Sequence, residues 1–206
     1  VQKTRRILDA LCEELHDKRY EAAQKLATLL KEEITPLGFE GLDFEIAVEM
    51  DSENPTPTGA DRVEFLFSPN PGQAVRPLHQ TASGGELSRV MLGLKTVLAA
   101  DVPTMIFDEV DTGIGGRTAT LVGHKLRAVA QGRQVLCVTH LATVAACADT
   151  HFHIEKEIDG QKTEVSLHAL SEEQIVPEIA RMLGALSEKD ETALSHARQM
   201  LQSARQ

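Results

Sequence analysis

The first 35 residues contain neither proline nor glycine, and Pro36 and Gly38 end the run. Within it Ile7, Leu8, Leu11, Leu15, Ala22, Leu26, Leu29, Leu30 and Ile34 recur at helical spacing, with charges between them. Seven basic and seven acidic side chains cancel over this stretch. The pattern predicts one long helix over 1–35. Such a helix can pack on the surface of its own domain. It can equally be the root of a coiled coil, because about five turns or more of zero-net, mixed-charge helix exceed what a small domain needs.

The rest of the chain is different in charge. Its 171 residues hold 14 basic and 24 acidic side chains, which accounts for the whole net charge of −10. An acidic surface does not attract phosphate backbones, which argues against this part as the main DNA-contacting surface. Aromatic residues make up 3% with no Trp, which argues against base-stacking platforms. Cys12, Cys137 and Cys147 form no CxxC pair, which excludes a disulfide framework and suits a reducing compartment. No apolar run approaches the ~18 residues of a membrane helix, and no signal peptide opens the chain, so the cytoplasm is expected. The chain starts at Val1, as a piece of a longer protein would.

After the helix, Leu42, Phe44, Ile46 and Val48 alternate with polar neighbours, as do Val63, Phe65 and Phe67. The two runs predict an antiparallel pair with one wet face, joined by a long, mobile loop over 51–60. Residues 69–80 are expected to be irregular. From Ser83 the character becomes α/β. A helix is predicted over 85–100 with Leu87, Met91, Leu94, Val97 and Leu98 inward. A buried strand follows at 104–107, a helix at 117–130, a second buried strand at 134–139 and a short helix at 141–148. A hairpin (152–157 and 163–168, turning at Asp159-Gly160) and two helices near 173–184 and 188–203 close the chain. This order implies parallel pairing of the middle strands.

Three constellations carry chemistry. Ser83-Gly84-Gly85-Glu86 has the form of a capping box before an apolar-periodic helix. The same geometry presents glycine amides, a helix N-terminus and the Ser83 hydroxyl to an anion. Met105-Ile106-Phe107-Asp108-Glu109 is a strand that delivers two carboxylates at its C-terminal end, where α/β proteins place ligands. An Asp there can hold Mg²⁺ and a following Glu can polarise a water. A solvated strand end is the plainer alternative. Val138-Thr139-His140 puts an imidazole at the end of the second strand, where it would be a structural residue or a phosphate contact. His151 and His153 lie two apart; with Cys147 or His140 they could form a zinc site, but no third ligand has a motif-like spacing, and solvated strand histidines are the better reading.

The order and spacing of the three constellations resemble the C-terminal half of an ABC-type ATPase head. Thr81-Ala82-Ser83-Gly84-Gly85-Glu86-Leu87-Ser88-Arg89, Phe107-Asp108-Glu109-Val110-Asp111-Thr112-Gly113-Ile114-Gly115-Gly116 and Val138-Thr139-His140-Leu141 resemble the RecN family, bacterial SMC-like ATPases of DNA double-strand-break repair and recombination. Ala82 departs from the Leu common in transporter signatures but agrees with that family. The resemblance implies an α/β fold: 36–206 as the C-terminal lobe of the head and 1–35 as the returning arm of a coiled coil. It implies ATP and Mg²⁺ as cofactors, Asp108 as the Mg²⁺ ligand, Glu109 as the catalytic glutamate and His140 as the switch histidine. Ser83, Gly84, Gly85 and Glu86 would be the signature, and Asp111, in the D-loop, would meet nucleotide.

No Gly-x-x-x-x-Gly-Lys-Ser/Thr occurs; Gly113-Ile114-Gly115-Gly116-Arg117-Thr118 lacks the spacing and the Lys. In the resembled family that motif lies in the N-terminal half, before the coiled coil. The expected partners are therefore the N-terminal half of the same head, a second head across a shared ATP, and DNA through the complete protein, with no membrane. The chain alone is expected to be inactive. A bacterial, cytoplasmic, nucleoid-associated protein is implied. Another SMC-like or ABC ATPase, a non-catalytic coiled-coil module, and a metallohydrolase built on His140, His151 and His153 are the alternatives.

Overall fold

The structure is a computed structural model that describes residues 2–39, 41–81, 83–98, 102–159, 162–185, 187 and 190–204. It divides into two compact units, Val1–Ala100 and Asp101–Gln206.

In the first unit the expected long helix is α1, Gln2–Ile34. Cys12, Ala23, Leu30 and Ile34 are its buried residues, and it packs against the strand Asp43–Met50 and the helix Gly84–Leu98. Its first turns leave Ile7, Leu8 and Leu11 exposed. A 3-10 turn, Thr35–Leu37, carries Pro36 where no amide is needed, and Gly38 ends it at φ 96°, a left-handed conformation that glycine adopts without cost. Strands β1 (Asp43–Met50) and β2 (Asp61–Ser68) pair antiparallel in the register Phe44↔Phe67, Ile46↔Phe65, Val48↔Val63. That register puts the alternating apolar residues of both strands on one face, where Phe39 meets Phe67 edge-on at 5.4 Å.

The 51–60 loop was expected to be mobile. Instead, α1 holds it. Arg5 donates to the Ser52 carbonyl at 2.6 Å and Arg19 to the Thr58 carbonyl at 2.7 Å. The Asp61 carboxylate, with no exposed side-chain surface, accepts from Arg19 at 2.8 Å and lies 2.7 Å from His16 Nδ1. Burial pushes the Asp61 carboxyl upward, but Arg19 and His16 outweigh it and hold it below its usual range. The 69–80 segment is also more ordered than expected: β3 (Arg76–Pro77) pairs with β2, and α2 (Leu78–Thr81) follows.

Helix α3 spans Gly84–Leu98; Ala99 and Ala100, at its expected end, lie outside the described residues, as does Ala82. Its buried face is Gly85, Arg89, Val90, Leu92 and Gly93, whereas Leu87 and Leu98, expected inward, are exposed. The reason is close helix contact. A Cβ built on Gly93 would lie 2.2 Å from Ile34 Cγ2, so the glycine side of α3 is the side that meets α1. Hydrophobic periodicity does not register a glycine.

In the second unit β4 (Thr104–Phe107) and β5 (Gln134–Cys137) pair parallel, with Phe107 opposite Cys137. Helix α4 (Gly116–Val129) forms the crossover. The two strands were expected to be buried. Met105 and Phe107 are, but Ile106 is 71% exposed and Leu136 and Val138 are also exposed, so one face of the pair is bare. Parallel strands ordinarily have both faces covered.

After α5 (Ala142–Ala145), strands β6 (Phe152–Asp159) and β7 (Lys162–Ala169) form the expected hairpin; Gly160 at its turn lies outside the described residues. Phe152, Ile154, Val165 and Leu167 are exposed on one face of it. Helix α6 (Glu172–Met182), started by a Ser171–Gln174 capping box, and α7 (Glu191–Ala204) bury Ile175, Ile179, Leu194, Ala197 and Leu201 together with Ala142 and Cys147. Among the described residues no helix is long and apolar enough to cross a membrane.

Gly93→Ala inserts a methyl where Ile34 already sits, and should destabilise the protein by about 1–3 kcal/mol, the usual cost of overpacking. Chemical denaturation measures it; an unchanged midpoint would show that α1 and α3 are not in this contact.

Candidate functional site

The geometry of the carboxylate pair follows from the β4–β5 register. The ladder continues past the strand ends, with Val138 N–H donating to the Phe107 carbonyl at 3.0 Å. Asp108 and Val138 therefore leave neighbouring strands at the same level. Asp108 and Glu109 are both exposed. Asp108 Oδ1 accepts the Glu109 amide at 2.9 Å. Glu109 has φ 56°, the only left-handed non-glycine among the described residues. For a residue with a Cβ that conformation costs on the order of 1–3 kcal/mol and tends to persist at functional sites. It turns the chain sharply, so that Val110 and Asp111 dive inward while the carboxylates of 108 and 109 stay at the surface.

Asp111 is 2% exposed. Its Oδ2 accepts a short hydrogen bond from Thr139 Oγ1, one from the His140 amide at 3.0 Å and one from the Leu141 amide at 3.3 Å. The same oxygen lies 3.3 Å from His140 Nδ1, while the His140 side chain is 67% exposed. The structure thus gathers Asp108, Glu109, Asp111 and His140 at one end of the parallel pair. Asp111 differs from the expectation of a direct nucleotide contact, because its carboxylate is turned into the protein. The sequence pattern placed it in the turn but carried no signal of side-chain direction.

Ser83, Gly84, Gly85 and Glu86 belong to the first unit. Both bonds of a capping box are made: Glu86 N–H donates to Ser83 Oγ at 3.3 Å, and Ser83 N–H donates to Glu86 Oε2 at 2.7 Å. Ser83 and Gly84 are exposed at the N-terminus of α3. A hydroxyl that accepts from Glu86 keeps its own proton to donate outward, so the cap is compatible with an anion contact there.

The histidines weighed for a zinc site do not converge. His151 is buried, with Nε2 2.9 Å from the Ala145 carbonyl, and His153 Nδ1 is 3.0 Å from Glu178. His151 is buried and His153 half-buried, less solvated than expected, because His151 meets the Ala145 carbonyl and His153 meets Glu178 of α6. Arg181 then His153, working against partial burial, hold the Glu178 carboxyl down to about 2. No group of three or more His, Cys, Asp and Glu side chains able to hold a metal occurs among the described residues. Asp108 offers a single hard oxygen donor at an exposed strand end. That suits Mg²⁺, which takes one or two carboxylates and fills its octahedron with water and phosphate oxygens.

Comparison with known proteins then decides the family. The chain is 42% identical over 197 residues to the DNA repair protein RecN of Vibrio cholerae, covering 95% of this chain and 35% of that protein. It is 41% identical over 212 residues to RecN of Streptomyces coelicolor, and 49% identical over 178 residues to RecN of Xylella fastidiosa. The chain belongs to the RecN family. It spans about a third of the length of the RecN proteins it matches. No protein-family profile matches it. Among solved structures it resembles the Smc head domain with an extended coiled coil, bound to the C-terminal domain of ScpA, of Pyrococcus furiosus. The TM-score is 0.52 at 18% identity, over 85% of this chain and 42% of that one. The Smc head domain with a coiled coil and joint from Pyrococcus yayanosii gives 0.52 at 19% identity, over 92% and 30%. The chain therefore has the fold of part of an SMC-type head.

Between the two strand ends, burial pushes the Cys137 thiol up to about 12, with the Asp111 and Asp108 carboxylates adding to the effect. Because the thiolate is the nucleophile, alkylation of Cys137 should rise about tenfold per pH unit up to pH 10 without levelling, whereas an ordinary thiol levels near its pKa of about 8.5. Peptide-resolved iodoacetamide rates would show this; a plateau at pH 9 would contradict the burial and charge assigned to the strand ends.

Proposed function

We propose that this chain is the C-terminal lobe of the head of a RecN-like ATPase acting in DNA repair and recombination. ATP with Mg²⁺ would be hydrolysed at a site this chain only half builds. The observation that carries the proposal is the pair of exposed carboxylates, Asp108 and Glu109, at the end of a parallel strand, with His140 at the end of its neighbour. Phosphoryl transfer to water needs these parts: a ligand for the cation, a base to orient water, and a donor for developing charge.

In this account Asp108 holds Mg²⁺, Glu109 orients and polarises the attacking water, and His140 contacts the terminal phosphate. Bound Mg²⁺ supplies neutralisation of phosphate charge. Ser83 and the Gly84 and Gly85 amides, at the outward start of α3, donate to the terminal phosphate of nucleotide held by a second head, with Glu86 fixing the cap. Dimerisation then completes each site, and hydrolysis releases it.

The Gly-x-x-x-x-Gly-Lys-Ser/Thr phosphate loop absent from this chain, the Walker A motif, comes from the N-terminal half of the same head. The bare face of β4 and β5, with Ile106, Leu136 and Val138 exposed, supports that partner, because a two-stranded parallel sheet has little stability alone. The exposed Ile7, Leu8 and Leu11 of α1 fit the other arm of a coiled coil. DNA would be held by the complete protein, in the bacterial cytoplasm at the nucleoid, rather than by the acidic remainder of this chain.

Glu109→Gln in the completed head keeps shape and loses the base. ATP binding should persist while turnover falls about 10²–10⁴-fold, and ATP-bound dimers accumulate. Nucleotide-affinity and steady-state measurements check this; turnover at the parent rate would remove Glu109 from the mechanism.

A further inference from the structure

Of the acidic residues in the turn after β4, Asp111 is the one that faces inward. A carboxylate this buried must be compensated by donors, and its donors are informative. Thr139 Oγ1, the His140 amide and the Leu141 amide all converge on one oxygen, Oδ2. Two successive backbone amides around an anion form a nest, here filled by the protein's own side chain. One oxygen of the buried carboxylate is taken up in closing the Thr139–Leu141 turn, and the residue is 2% exposed. It therefore has little capacity for a nucleotide.

The same oxygen lies 3.3 Å from His140 Nδ1. A ring whose Nδ1 faces Asp111 turns its Nε2 edge away, and the imidazole is 67% exposed. Two residues upstream sits Glu109 at φ 56°. Its left-handed turn is closed by Thr112 N–H on the Glu109 carbonyl at 3.1 Å and by the inward anchoring of Val110 and Asp111, both buried. One carboxylate therefore ties the turn that carries Glu109 to the turn that carries His140.

We propose that Asp111 is a positioning residue that locks the Glu109 turn to the His140 turn and sets the outward orientation of the His140 imidazole, without touching nucleotide. The inference rests on the ATPase reading for its catalytic consequence, but not for its structural content.

The test uses the complete head, this chain assembled with the N-terminal half, as parent, Asp111→Asn and Thr139→Val. Removing such an outer partner typically costs 10–100-fold in activity. In Asp111→Asn kcat should fall about 10–100-fold with ATP affinity unchanged; Thr139→Val, which removes one of the donors and keeps the charge, should fall less. A second readout is independent of turnover: the ring ¹⁵N signals of His140, assigned by their loss in His140→Gln. In the parent they should report the Nδ1–H tautomer, and in Asp111→Asn that preference should be lost, with melting temperature recording the folded state of each variant. Weakened ATP binding at parental kcat would overturn the inference and return Asp111 to direct nucleotide contact. An unchanged His140 ring spectrum in a folded Asp111→Asn protein would overturn it as well. If the assembled parent head hydrolyses no ATP, the ATPase reading fails by itself, and the ring spectrum still decides whether Asp111 holds His140.

Discussion

The parallel pairing of β4 with β5 is the constraint on which the site depends. Each strand is only four residues long, and the register sets Phe107 opposite Cys137. Shifting that register by one residue would reverse which side chains of β4 face the core. Buried Met105 and Phe107 resist the shift, since exposing them would replace them with Thr104 and Ile106. With the register fixed, the carboxylates and the histidine leave the sheet side by side. The turn after β4 then has to do two opposite things, keeping Asp108 and Glu109 in water and burying Asp111. The left-handed backbone of Glu109 achieves this in one residue, at a cost that the buried contacts of Val110 and Asp111 offset.

The bare surfaces carry as much information as the buried ones. Exposed apolar residues scattered singly mean little, but here they form faces. Ile106, Leu136 and Val138 share one side of the parallel pair, and Phe152, Ile154, Val165 and Leu167 share one side of the closing hairpin. Each is a sheet with two strands among the described residues. The RecN proteins that the chain matches are about three times its length. The last turns of α1 bury Leu30 and Ile34 in its own unit, and in its first turns Arg5 reaches the Ser52 carbonyl while Ile7, Leu8 and Leu11 are exposed.

Much of the fold was legible from period and punctuation. The proline- and glycine-free run gave α1, alternation gave β1 and β2, and the Asp-Gly turn gave the hairpin. What was not legible has physical reasons. The buried face of α3 is the one with Gly85 and Gly93, and close helix approach leaves no hydrophobic signal. Leu87 and Leu98 mimic a core stripe because they are apolar, whatever covers them. The loop before β2 was expected to be mobile from its length, yet Arg5 and Arg19, about forty residues away in sequence, satisfy its carbonyls. For the site, spacing identified Asp108, Glu109, Asp111 and His140 as a group. Spacing could not show that Asp111 points inward, because a turn's side-chain direction is set by its dihedrals and not by its neighbours' identities.

The claim at the centre of this account is that the chain is half of an ATPase head, complete in base and signature and lacking the phosphate cradle. Steady-state ATP hydrolysis by the purified chain, alone and after assembly with the N-terminal half, tests it most directly. The account predicts no turnover above background for the chain alone, and turnover on assembly that is lost when the Walker A lysine of the added half is replaced. Sustained hydrolysis by the isolated, verified-pure chain, or a stable assembled head that binds ATP and never hydrolyses it, would contradict it.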